Sequence, residues 1–164
     1  MTELVGLLVI PRETDVNFTA KEDYGIRAVL DIALHRSEAP IQAREIAARQ
    51  SMPEQFLEQV LATLRRAGVV RSIRGAAGGY DLARPAGRIS VGDVIRALSG
   101  ALVPVQCVNE ADLTVCSRQE SCSVSHFWAH LKDAISAVTD GTTIQDLVDH
   151  QLGVEQAMSF MMNI

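Results

Sequence analysis

No run of about eighteen apolar residues occurs in the 164-residue chain, so no membrane-spanning helix is predicted. The N-terminal stretch MTELVGLLVIPRETD carries an apolar patch, but an acid stands in front of it and no small-residue cleavage site follows. It makes a poor secretory leader. Cysteine is scarce, and its three copies cannot pair internally without a remainder. The expectation is a cytoplasmic chain with reduced thiols and no membrane contact. Catalytic patterns are missing as well: there is no glycine-rich phosphate loop, no His–carboxylate–nucleophile set and no paired acids in a recognisable context. The chain does not read as an enzyme.

What is present is enough apolar material, 48% of residues, to fill the core of one domain with an appendage or of two small domains. The net charge of −5 hides a split. Gln42–Arg96 holds nine arginines against five acids, whereas Cys107 to the end holds eight acids and two basic residues. A basic middle is thus joined to an acidic end, and a local basic surface can bind phosphates whatever the total charge.

The basic middle has a recognisable order. Phe18–Arg36 reads as a helix opened by a Thr19/Glu22 capping box, with Ile26, Val29, Leu30, Ala33 and Leu34 at helical spacing. A short helix over roughly Ala43–Gln50 follows. A third runs from Glu54 to Ala67, with Pro53 suited to its first position and Phe56, Leu57, Val60, Leu61 and Leu64 as its buried side. Gly68 closes it, and the period then shortens towards two. VVRSIRG and GYDLAR read as strands joined by GAAGG. The fold class is therefore mainly α with a small β-hairpin wing, a winged helix-turn-helix.

In such a fold the third helix enters a major groove and the hairpin touches the flanking backbone. The face of that helix left for DNA carries Gln55, Glu58, Gln59, Thr63, Arg65 and Arg66, and the wing carries Arg71, Arg74 and Gly75. Glutamine can pair with adenine edges, and arginine can reach phosphate or guanine. Gln55, Gln59 and Gly75 are the base-side or groove-side candidates. The alternative is a protein-interaction module of the same shape, which has no need of an arginine excess at its wing.

All three cysteines, Cys107, Cys116 and Cys122, fall in the polar stretch VQCVNEADLTVCSRQESCSVSHFW, spaced C-x8-C-x5-C. Thiolates are soft ligands that favour iron–sulfur clusters, zinc or copper(I). Structural zinc normally shows closer cysteine pairs, and cluster ligation commonly wants four ligands. An iron–sulfur cluster, a metal-free thiol switch and zinc all stay open on spacing alone. Ser90 and Asp93 cap a helix before this stretch, and Ser123–Thr139 is helical after it, with Phe127, Leu131, Ala134, Ile135 and Val138 on one face. An apolar stripe of that kind must pack on its own domain or on a twin.

The segments FTAKEDYGIRAVLDIAL, EIAARQSMPEQFLEQVLATLRRAGVVRSIRGAAGGYDLAR and ISVGDVIRAL, followed by the cysteines, resemble the Rrf-type bacterial transcription regulators. That group includes the iron–sulfur sensors IscR, NsrR and RirA. The similarity runs from about Phe18 to Val148. It implies a homodimeric regulator of double-stranded DNA, a repressor or an activator, with an antiparallel long helix for the dimer. It also implies control by an iron–sulfur cluster at Cys107, Cys116 and Cys122, with [2Fe–2S] and [4Fe–4S] both open. The gap of eight between the first two cysteines is longer than in most relatives. Where IscR-like chains place a histidine ligand stands Ser125, with His126 one residue on. NsrR-like chains take a carboxylate from the partner's first helix, and the matching residue is Asp23. The resemblance ranks Asp23 of the partner subunit ahead of His126; His35, His130 and His150 are given no role.

The predicted organisation is an extension over 1–17, a DNA-binding domain over 18–100, a cysteine loop over 101–122, a dimerisation helix with a short following helix over 123–150, and a tail over 151–164.

Overall fold

A computed structural model describes residues 18–36, 40–75, 77–109 and 121–162. The expected extension over 1–17 and Cys116 lie outside these residues. Six helices and one antiparallel hairpin are present among the described residues: α1 Ala20–Leu34, α2 Ala43–Gln50, α3 Glu54–Arg66, β1 Val70–Ile73, β2 Gly79–Leu82, α4 Val91–Ser99, α5 Ser123–Gly141 and α6 Ile144–Met162. Single 3₁₀ turns occur at Ala86–Arg88 and Gln106–Val108.

The capping boxes set the helix starts. Thr19 and Glu22 exchange side-chain bonds with each other's backbone at the head of α1, and Ser90 and Asp93 do so at α4. A third box, Gln42 with Glu45, opens α2. Between α2 and α3, Ser51 takes a left-handed conformation at φ 53° and the Met52 amide donates to Ala47 O at 2.9 Å, turning the chain sharply. Pro53 occupies the N-cap of α3 and not its first helical position, because its ψ of 121° is extended.

The core gathers Val29 and Ile32 of α1, Ile46 of α2, and Leu57, Val60, Leu61 and Leu64 of α3, together with Leu82, Ile89 and Ile144. Each fully buried aliphatic side chain of this size contributes about 1.5–3 kcal/mol. The buried face of α1 is rotated from the expected one. Gly25, Ala28, Val29 and Ile32 are buried, whereas Ile26, Leu30, Ala33 and Leu34 are half-buried. Two acids account for the rotation. Asp31 is buried because Arg49 grips it at 2.6–3.1 Å and Gln50 donates to it at 3.0 Å, which ties α1 to α2. Glu22 is buried because Thr19 and Ser99 satisfy it.

The turn after α5 is stitched to the strand-like segment before α4. Val91 N–H donates to Thr142 O, and Ile144 N–H donates to Ile89 O, both at 2.8 Å. Arg96 holds Asp140 at 2.6 Å, so the C-terminal end of α5 is fixed on α4. The remainder of α5 has no buried residue; Thr139 alone is buried in the whole helix. α6 does not end near residue 150. It continues as one helix to Met162 through Gly153, so the expected tail is helical as far as it is described.

Candidate nucleic-acid interface and cysteine cavity

The core-facing leucines of α3 leave the opposite side outward. Gln55, Glu58, Gln59, Arg65 and Arg66 are exposed and Thr63 is half-buried. Thr63 accepts from Arg66 Nη2 at 3.1 Å, and Arg65 reaches Ser72 Oγ of the wing at 3.4 Å, so helix and wing present one surface.

The hairpin pairs Val70 with Leu82, Arg71 with Asp81, Ser72 with Tyr80 and Ile73 with Gly79. Arg71 is committed to its cross-strand partner Asp81 at 2.6 Å, and Arg36 approaches the same carboxylate at 3.4 Å. Burial opposes ionisation of Asp81, but the Arg71 hydrogen bond, the Leu82 amide and Arg36 outweigh it and hold the carboxyl below its usual range. Arg74 and Gly75 are exposed at the wing tip. Gly75 has φ 123°, and a Cβ on Gly78 would overlap Ile73 O, so the tip needs both glycines. Gly79 lies against the Ile41 backbone, to which Tyr80 is bonded at 2.8 and 2.9 Å, and this anchors the wing to the body.

The second site is a cavity of about 620 Å³ at the N-terminal half of α5. Cys122 is the N-cap of α5 and accepts from the Ser125 amide at 3.1 Å. Cys107 comes from the turn Gln106–Val108, which packs on α5. Both line the cavity with His126, His130 and Asp133. The helical period explains the convergence: positions 122, 126, 130 and 133 fall on one side of α5. His130 and Asp133 were not anticipated from the sequence. Their signal was there, as spacings of eight and eleven from Cys122.

Asp23 is exposed on the first turn of α1, ion-paired with Arg27 at 2.9 Å, and does not line this chain's cavity. Among the described residues, no group of three His, Cys, Asp or Glu side chains is arranged to hold a metal ion. The donor chemistry nonetheless suits a soft metal centre, since thiols and imidazoles face a space larger than one ion needs. No described helix is long and apolar enough to cross a membrane.

Residues 18–150 match the Rrf2 family, described as iron-dependent transcriptional regulators. The chain is 33% identical over 145 residues to the HTH-type transcriptional regulator CymR of Bacillus subtilis, covering 88% of this chain and 99% of that one. The solved structure of that protein, called the global cysteine regulator, has a TM-score of 0.68 at 34% identity, over 82% of this chain and 97% of the other. The HTH-type transcriptional regulator IscR of Xenorhabdus nematophila is 34% identical over 136 residues, 83% of this chain and 81% of the relative. The structure of T. potens IscR gives a TM-score of 0.64 at 36% identity, over 82% and 88% of the two chains. These relatives are transcription regulators and not enzymes, and on the match over 18–150 the chain belongs to the Rrf2 family of winged-helix transcriptional regulators.

Proposed function

We propose that the protein is a homodimeric repressor of a pseudo-palindromic operator, controlled by an iron–sulfur cluster on Cys107, Cys116 and Cys122. The observation that carries this reading is the cavity lined by both Cys107 and Cys122 beside α5, the helix that bears an uncovered apolar stripe. Gln55, Gln59 and Gly75 lie on the base or groove side, with Glu58 on the same face of α3, while Arg65 and Arg74 contact phosphates or a minor groove. A cluster bound there supplies a centre sensitive to redox state, nitric oxide or iron supply. Cys122 heads α5, so its backbone is fixed relative to the helix. Cys107 is carried by the segment that leaves α4.

Anaerobic purification followed by absorption spectroscopy and iron and sulfide assays tests the cofactor. Iron with acid-labile sulfide is expected, and its loss should change operator affinity. A second reading is favoured by the likeness to CymR, whose B. subtilis form is described as a cysteine regulator. In it, a cluster-free pair of thiols switches the protein by oxidation. A colourless, iron-free preparation whose operator binding still responds to thiol oxidant would select it.

The two wing arginines separate the contributions to DNA binding. Arg74→Ala is expected to weaken binding about equally across sequences and to lower the salt slope by about one. Arg71→Ala should change the slope less, because Arg71 is already neutralised by Asp81. Titration of binding against salt measures both, and equal slopes for wild type and Arg74→Ala would remove Arg74 from the interface.

A further inference from the structure

The segment that carries Cys107 springs from the last turn of α4, and that turn is locked to the first turn of α1. Lys21 Nζ donates to Leu98 O. Ser99 Oγ donates to Glu22 Oε1, and the other Glu22 oxygen takes the Thr19 amide at 2.7 Å. Glu22 is only 3% exposed, so this carboxylate depends on those partners for solvation. One turn further along α1 the two helices come close together. A Cβ on Gly25 would overlap Leu98 Cδ1, and Val94 Cγ1 stands 3.5 Å away. A shift of the last turn of α4 is therefore passed to the first turn of α1 through the Lys21 and Glu22 bonds.

Lys21 also borders the space beside α3. Its side chain lines a cavity of about 520 Å³ along α3 with Phe56, Gln59, Thr63 and Arg66. One side chain thus borders both the root of the cysteine segment and the flank of the DNA-facing helix. A further connection of α4, Arg96 to Asp140, leads to α5 from a position one turn nearer the α4 start.

We infer that Lys21, with Ser99 and Glu22, is the positioning latch through which the state of the cysteine segment reaches the recognition helix. This rests on the reading above that the cysteines control operator affinity. Release of the latch frees the first turn of α1 from α4, so that a change at the thiols no longer alters the placement of α3.

A double-mutant cycle tests it, using full-length protein and a duplex selected in vitro from a randomised pool by the wild type. One arm is Cys107→Ser with Cys122→Ser, and the other is Lys21→Met with Ser99→Ala. The thiol substitutions are expected to change the dissociation constant at least tenfold in the native latch and less than threefold in the broken one. Lys21→Met alone, which leaves the Thr19/Glu22 cap intact, serves if the double change unfolds the chain. Lys21→Arg, which keeps a donor for Leu98 O, should restore the coupling, an outcome that loss of packing alone does not give. The same tenfold effect in both backgrounds overturns the latch while leaving thiol control standing. No thiol effect in the native background overturns the underlying reading, and the latch with it.

Discussion

Phe127→Asp is expected to turn a dimer into monomers and to weaken operator binding at least a hundredfold. On α5, Val124, Phe127 and Val138 are 60%, 58% and 68% exposed, although each is apolar. Phe127, Leu131, Ala134 and Val138 follow one another at steps of four, three and four, a sequence that reads the same in both directions. Two copies of α5 laid antiparallel therefore superpose the stripe on itself, with Phe127 against the partner's Val138 and Leu131 against the partner's Ala134. Large side chains meet small ones, which suits close packing.

A two-fold axis doubles every change. Losing two Phe burials forfeits about 3–6 kcal/mol, and two carboxylates forced against apolar surface cost several more. That is enough to weaken a dimer by about 10⁴ or beyond. A monomer then reads one half-site without the benefit of the second. Sedimentation and operator titration measure both effects. Adding Val138→Lys to Phe127→Asp should restore the dimer, because an antiparallel crossing places the new charges opposite each other. A parallel crossing would place Asp against Asp, so failure of the rescue with an intact fold rejects the antiparallel arrangement.

The capped helices and the wing were legible because their signals are local. Thr19 with Glu22, Ser90 with Asp93, and Gly68 at φ 71° each act within a few residues. The outward face of α3 was legible for the same reason, since Leu57, Val60, Leu61 and Leu64 leave little choice about what faces solvent. The burial of α1 was not, because hydrophobic periodicity treats Glu22 and Asp31 as solvent-facing. Their partners Ser99 and Arg49 are distant in sequence, and nothing local announces them. Nothing local marks Gly25 as a contact either, yet Leu98 Cδ1 occupies the place a Cβ there would take. The role of α5 at the cysteines was half visible. Cys122 and His126 are close in sequence, but the arrival of Cys107 depends on how the segment from α4 folds back. His130 and Asp133 share the cavity wall through the helical period of α5 alone.

Asp23→Ala is expected to leave a cluster that forms but decays faster, with operator affinity shifted about tenfold, whereas His126→Ala should have the smaller effect. A carboxylate is a weaker and more exchangeable iron ligand than a thiolate, so its loss should show first in lability. Asp23 is held on the surface by Arg27, with more than half of its side chain exposed, and is free to face a second copy. It is also adjacent to Lys21 and Glu22, the residues that grip the end of α4. A ligand lent across the dimer from this turn would couple cluster loss directly to the latch and hence to α3. His126 lies on α5 one turn from Cys122 and lines the same cavity, so its loss perturbs the cavity without pulling on α1. The two alanine variants should be compared for visible spectrum, rate of bleaching in air and operator affinity. If Asp23→Ala leaves all three unchanged while His126→Ala bleaches the protein, the fourth ligand comes from the same helix as Cys122, and the partner's first turn plays no part in holding the cluster.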